Sequence, residues 1–261
     1  MSAHAPARLD STAFADHPHP HVILESIIAK RFAVEYQPLV DVRNGHTHAH
    51  EALARFIDSQ GAVMRPDEVF ALLHDNPLLL MHAELEMKTL QLSQAPADGL
   101  LFVNLDPDSF CAAYSAQGDN VFLPLLQQYR QRLVVEVIEN LHMEDVLRAQ
   151  KMIAMLEAAS IRLAIDDMSS SRGLISYASM ISANYLKFDR SWLTGSLSGK
   201  LRIILTWVLA QAADLGLTTV LEGVESEQDL LLARDFGFDL VQGFLFRSRF
   251  IWRGCTPRRG G

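Results

Sequence analysis

From Phe32 onward the chain alternates between two rhythms. Short runs dense in β-branched and aromatic residues, FAVEYQPLVDV (32–42), LLFVNL (100–105), RLVVEVIE (132–139), RLAIDDM (162–168), NYLKFD (184–189), TTVLEGV (218–224) and DLVQGFLF (239–246), read as strands. Between them, the segments 79–94, 142–158, 198–215 and 225–236 repeat apolar residues at helical spacing. The strands are too apolar to face water on either side, so the pattern predicts a largely parallel sheet covered by helices. Seven or eight strands in roughly 230 residues favour a closed (β/α)8 TIM-like barrel over an open, doubly wound sheet. No G-x-G-x-x-G or Walker loop follows any strand, which removes the usual sign of the open alternative.

Polar residues then recur at or just after the strand ends: Asn104, Glu136 and Glu139, Asp166 and Asp167, Lys187 and Asp189, Glu222 and Glu225, and Gln242. In an α/β barrel these ends meet on one face, where binding and catalytic sites are built. One such carboxylate is explained by helix capping, but a whole rim of them is not. Crowded acids raise one another's pKa unless a counter-charge lies among them. All-oxygen ligation without histidine or thiolate suits Mg2+ or Mn2+ better than zinc. Adjacent acids at Asp166 and Asp167 could ligate two neighbouring ions, the arrangement that clamps attacking and leaving oxygens in phosphodiester displacement. Neighbours on a regular strand face opposite ways, so both reach one site only if the strand ends there and the chain turns.

Composition narrows the function classes. The 261 residues are 49% hydrophobic and 21% charged, enough for one large domain and unlike a disordered or fibrous chain. A net charge of -8 argues against a nucleic-acid polymer as partner. Cys111 and Cys255 form no ligand spacing or disulfide framework, which points to a cytoplasmic location, and no stretch reads as a membrane span or signal peptide. Residues 1–21, rich in Ala, Pro and His, read as a flexible tail before a domain over 22–253, with 254–261 a second tail. HTHAHE places His46, His48 and His50 on one face of an extended segment, similar to the HxH of metal-dependent amidohydrolases. If Glu51 points into the barrel, alternation turns those histidines outward, and a solvated face is the favoured reading.

In YQPLVDV, EALARF, FVNL, VVEVIE, AIDD, YLKFD, LEGVE and QGFLF, in that order at barrel spacing, the sequence resembles the EAL-domain cyclic-di-GMP phosphodiesterases over residues 32 to about 250. The resemblance implies a modified barrel with an antiparallel first strand, which opens one phosphodiester of cyclic di-GMP to give linear pGpG. It assigns Glu51, Asn104, Glu136, Asp166, Asp167 and Glu222 as metal ligands for a two-metal Mg2+ or Mn2+ site, with Ca2+ supporting binding but not turnover. Glu51, Lys187 and Glu222 become catalytic, Lys187 by helping to hold the attacking water. Gln37, Arg55, Asp189 and Gln242 become substrate-binding residues. A homodimer through the helix around 173–181 and a sensory or regulatory partner protein are further implications.

The departure lies behind the paired aspartates. Where the family continues Phe-Gly-Thr-Gly-Tyr-Ser, this chain reads Met168-Ser169-Ser170-Ser171-Arg172-Gly173. If either lost glycine needs positive φ, serine there costs roughly 1 to 2 kcal/mol. Ser170 keeps a hydroxyl for Glu139, the family's loop anchor. The leading expectation is therefore a hydrolase, weakened by its loop. A receptor that binds cyclic di-GMP without turnover comes second, and a nucleotide-independent interaction module last.

Overall fold

The two rhythms are realised as nine helices and ten strands among residues 18–138, 143–168, 177–193 and 199–257, which the computed structural model describes. The helices are α1 (Pro20–Ile28), α2 (Pro66–His74), α3 (Pro77–Ser93), α4 (Pro107–Ala112), α5 (Phe122–Gln127), α6 (Met143–Ala158), α7 (Tyr177–Ser182), α8 (Gly199–Asp214) and α9 (Glu227–Phe236). The strands are β1 (Phe32–Asp41), β2 (Thr47–Ile57), β3 (Val63–Met64), β4 (Leu100–Asn104), β5 (Leu133–Ile138), β6 (Arg162–Met168), β7 (Tyr185–Phe188), β8 (Thr218–Leu221), β9 (Leu240–Val241) and β10 (Ile251–Gly254).

Eight of these strands close a ring, β1-β2-β4-β5-β6-β7-β8-β9 and back to β1, with β3 and β10 attached outside it. Strand β1 is antiparallel to both ring neighbours, and the other ring pairings are parallel. The modified barrel with an antiparallel first strand is therefore the observed fold. One residue from each ring strand, Leu39, Ala49, Phe102, Val134, Ala164, Tyr185, Val220 and Leu240, packs into a single buried cluster inside the ring. Two larger apolar shells fill the space between barrel and helices.

Local chemistry ends the elements where the barrel needs them to end. Asn76 caps α3 by accepting from the Leu79 amide, and Ser226 with Asp229 forms a capping box at α9. Gly237 takes the left-handed conformation, φ 87°, that stops α9. At Gly243, φ 155°, an added Cβ would stand 2.2 Å from the Val224 carbonyl oxygen, so only glycine lets the chain turn there.

Three boundaries differ from the sequence reading. DLVQGFLF is not one strand: β9 stops at Val241, and after Gly243 the chain winds into a 3-10 segment, Phe244–Arg249. Helix α1 starts at Pro20, inside the stretch read as tail, where a proline is preorganised for a first helical turn. Strand β10 runs to Gly254 by pairing along β1, from Tyr36↔Ile251 to Ala33↔Gly254.

Helix α3 carries a buried ion pair, Lys88 Nζ to Glu84 Oε1 at 3.2 Å, with both side chains at most 3% exposed. Burial pushes the Glu84 carboxyl above its ordinary pKa, against the pull of Lys88. Lys88→Met is expected to cost about 3 to 5 kcal/mol, because it strands a buried acid, whereas the apolar double variant Glu84→Leu/Lys88→Met should recover most of that loss. Urea unfolding of the three proteins measures it.

Candidate active site

Period-two alternation turns the apolar floor of the barrel into a polar rim. Two residues beyond each floor residue, toward the carboxyl ends of the parallel strands, stand Glu51, Asn104, Glu136, Asp166, Lys187, Glu222 and Gln242. On antiparallel β1 the same step runs backward, from Leu39 to Gln37. The barrel thus brings eight of the residues expected from sequence into one layer.

Lys187, 1% exposed, stands at the centre. Its Nζ lies 2.5 Å from Glu136 Oε1, 2.6 Å from Glu222 Oε1, 3.3 Å from Glu51 Oε2 and 3.4 Å from Asp166 Oδ1. Asn104 Nδ2 donates to Glu51 Oε1 at 3.0 Å and to Glu136 Oε2 at 2.8 Å. Gln242 Nε2 donates to Glu51 Oε2 at 2.7 Å and to Gln37 Oε1 at 3.3 Å. A cleft of about 270 Å3 opens on the cluster, lined by Gln37, Glu51, Leu53, Asp166, Glu222, Glu225, Gln242 and Phe244 among others.

One ammonium cannot neutralise this many acids, and the pKa pattern follows. Burial, then repulsion from Glu51, pushes Glu136 well above the usual carboxylate range. Burial, aided by Asp166 and Glu51 against Lys187, carries Glu222 up to about 8. Burial opposes ionisation of Glu51 too, but Lys187 and the Gln242 hydrogen bond outweigh it and hold its pKa low. Lys187 is driven well above its ordinary value by Asp166, Glu136, Glu222 and Glu51, although burial works against its charge. Neither Lys187 Nζ nor Glu136 Oε1 makes an aligned hydrogen bond, so these contacts are ion pairs that leave polar atoms unsatisfied. An all-oxygen donor set with surplus negative charge and unsatisfied buried atoms fits hard divalent cations.

The backbone at the paired aspartates departs from a regular strand in a way other than the one expected. The strand does not end at Asp166; β6 continues to Met168, and its register against β7 shifts between Ile165 and Met168. Such a bulge breaks strict alternation, so adjacent residues need not face opposite ways. The Met168 carbonyl accepts from Trp192 Nε1 at 2.7 Å, which pins the strand beyond the bulge. The Asp167 side chain, Glu139, His142 and residues 169–176, Ser170 among them, lie outside the described residues.

Other candidates resolve differently. Asp189 does not line the cleft; its Oδ1 accepts from the amide and hydroxyl of Ser191, at the start of the 3-10 turn Arg190–Leu193. Arg55 is not held free for an anion, because its NH2 group donates to Glu35 Oε1 at 2.8 Å. Glu35 escaped the sequence reading, although its i, i+2 spacing to Gln37 places both on one face. Ala49 and Glu51 face inward, which turns His48 and His50 away from the site. A separate group, His74, Asp106 and Asp108, was also missed. His74 Nδ1 lies 2.7 Å from the Phe70 carbonyl oxygen and Nε2 2.8 Å from Asp106 Oδ2. Both partners only accept when Asp106 is ionised, so both contacts are satisfied together by the imidazolium; burial opposes that charge, but the Phe70 and Asp106 contacts win and raise its pKa.

Glu84, Glu136 and Glu222 all have raised pKa values, so between about pH 4.5 and 8 the metal-free native state binds more protons than the unfolded chain. Its stability is expected to fall as pH rises through that window; His74 adds to the fall above its unfolded pKa, while His50, whose burial lowers its pKa, offsets part of it up to its unfolded pKa. Thermal melts of EDTA-treated protein at pH 5.5 and pH 8 test this. Mg2+ or Mn2+ should restore the loss at pH 8, by about 2.7 kcal/mol at a hundredfold excess over Kd.

A family model described as EAL domain matches residues 22–248. Among curated proteins, the bifunctional diguanylate cyclase/cyclic di-GMP phosphodiesterase MucR of Pseudomonas aeruginosa is 26% identical over 234 residues, 86% of this chain and 34% of its own length. The cyclic di-GMP phosphodiesterase TpdA of Vibrio parahaemolyticus is 25% identical over 226 residues, 85% of this chain and 38% of its own. This chain spans about a third of the length of the curated relatives it matches. Among solved structures, a PaMucR phosphodiesterase in complex with c-di-GMP superposes with a TM-score of 0.71 at 26% identity, covering 90% of this chain and 96% of that one. The FimX EAL domain of Pseudomonas aeruginosa bound to c-di-GMP shares the fold, with a TM-score of 0.68 at 18% identity over 87% of this chain and 94% of that one. Eight barrel strands, one polar layer above a common floor and the family match over nearly the whole described chain lead to one conclusion: the protein belongs to the EAL domain family.

Proposed function

We propose that the protein hydrolyses cyclic di-GMP to linear pGpG with two divalent cations, Mg2+ or Mn2+, in the cytoplasm. The observation that carries this reading is the buried layer in which Lys187 contacts four carboxylates beneath an open cleft. Helix caps need no such lysine, and a module that bound no cation would keep these acids only at an electrostatic cost. Relatives and neighbours add support: a Bacillus subtilis YkuI structure holds c-di-GMP and calcium, and a Klebsiella pneumoniae BlrP1 structure holds manganese and cy-diGMP.

In this reading Glu51, Asn104, Glu136, Asp166, Asp167 and Glu222 hold the cations. When bound, such ions acidify a water and neutralise phosphate charge. Lys187 orients the attacking water and places a fixed positive charge beside the developing negative one. Glu222 Oε1, 2.6 Å from Lys187 Nζ, sets a proposed cation ligand beside the lysine that orients the water. Gln37 and Gln242 face the cleft as candidate substrate contacts, and Arg55, which lines the neighbouring cavity, is the candidate phosphate partner.

The homodimer through the helix around 173–181 and the sensory or regulatory partner belong to this proposal as well; residues 173–176 of that interface lie outside the described residues.

A second reading, a receptor that binds cyclic di-GMP without turnover, is favoured by one observation, the serine-rich stretch 169–171 in place of a glycine-containing loop. Chromatographic detection of pGpG after incubation with Mn2+, beside calorimetric binding in Ca2+, separates the two, since the receptor gives binding with no product. Glu51→Ala is expected to lower metal-dependent turnover at least about 100-fold by removing a ligand; unchanged turnover would refute the assigned site. Ser169→Gly/Ser171→Gly is expected to raise kcat several-fold where loop strain limits the rate. A flat response in the same steady-state assay would count against loop strain.

A further inference from the structure

A residue outside the assigned ligand and substrate set joins Arg55, which lines the cavity beside the cleft, to the acid layer. Glu35 lies on β1, two residues before Gln37, and its side chain is 14% exposed. Its Oε1 accepts from Arg55 at 2.8 Å and from Gln37 Nε2 at 2.8 Å. The second bond fixes the polarity of the Gln37 amide. With its NH2 toward Glu35, Gln37 turns Oε1 toward Gln242 Nε2, which in turn donates to Glu51 Oε2. A chain of contacts therefore runs from Arg55 through Glu35, Gln37 and Gln242 to Glu51.

Arg55 is only partly satisfied by these contacts. Its NH1 group donates to the Ala54 carbonyl, while the buried Nε has no hydrogen-bond partner. The pairing with Glu35 neutralises the guanidinium at 12% exposure, where solvent screening is weak. An incoming phosphate would meet an arginine whose charge is already cancelled.

We infer that Glu35 is a positioning residue that weakens the hold of Arg55 on an anionic dinucleotide and sets the amide direction of the Gln37–Gln242 relay. The inference rests on the proposed reading of the cleft. Glu35→Gln keeps an oxygen for both donors and removes the charge, so affinity for cyclic di-GMP in Ca2+ should tighten about fivefold. In turnover the gain falls on KM rather than kcat, and it grows as ionic strength is lowered. The gain disappears in an Arg55→Ala background, because the charge acts through Arg55.

The deciding experiment adds a readout that needs no nucleotide. Phenylglyoxal modification of Arg55, followed by peptide mass mapping, should run several-fold faster in Glu35→Gln than in the wild type, and cyclic di-GMP with Ca2+ should slow it in both. An unchanged modification rate, weaker dinucleotide binding in Glu35→Gln, or the same gain without Arg55 would overturn the role of Glu35. Faster modification with no effect of the dinucleotide on either protein would instead overturn the cyclic-di-GMP reading, and with it the tuning of affinity.

Discussion

Lys187 meets four carboxylates within 3.4 Å while almost fully withdrawn from water, and the rest of the site is arranged around that contact. A single positive charge leaves a surplus of negative charge that only protons or cations can offset. Burial first, and then this surplus, holds Glu136 and Glu222 toward their neutral forms, while Glu51, bonded by Gln242 and paired with Lys187, stays ionised. The contact is possible only because β7 is in register with its neighbours, Lys187 opposite Val220 and Leu186 opposite Ile165. A slip of one residue in any ring strand would exchange its rim residue for one facing the helices. Fold and electrostatics are thus one constraint: the ring supplies the register, and the register places the acids around the lysine.

The reversed first strand extends that layer upward. On β2 the inward residues climb from Ala49 through Glu51 and Leu53 to Arg55, and on β1 they climb in the opposite chain direction from Leu39 through Gln37 to Glu35. Because β1 and β2 pair along nearly their whole length, this hairpin stands two rungs above the rim and carries Arg55 and Glu35 with it. Arg55 borders a second cavity of about 380 Å3, walled by Phe70, His74, Glu84, Lys88 and Gln91 among others. A parallel first strand would have pointed its later residues at the same rim but brought its chain in from below, with no long two-stranded hairpin to bear an arginine.

Much of this was legible in the sequence, for a physical reason. Burial on both faces makes a barrel strand read as an apolar run, and a polar residue at its carboxyl end stands out against that run, as Asn104, Glu136, Asp166, Lys187 and Gln242 do. Glu35 was hidden by the same logic, since it precedes the rim residue Gln37 on the one strand that runs backward. The ion pair of Lys88 and Glu84 could be seen as an i, i+4 pair, but nothing in the pattern said that it was buried. The break after β9 depends on Gly243, whose conformation becomes visible only with Val224 packed against it.

The strand in front of the altered serine-rich stretch is held by contacts of its own. The backbone that carries Asp166 and Asp167 is set by the shifted pairing of β6 on β7 and by the Trp192 indole on the Met168 carbonyl. Asp166 is further tied by Lys187, which comes from the neighbouring strand. None of these contacts involves the residues after Met168 that depart from the family pattern. The contacts that hold the Met168 carbonyl and the Asp166 carboxylate come from β7 and from the 3-10 turn behind it. The acid layer around Lys187 is built from the described strands, and this layer is what puts the proposed hydrolase ahead of the receptor.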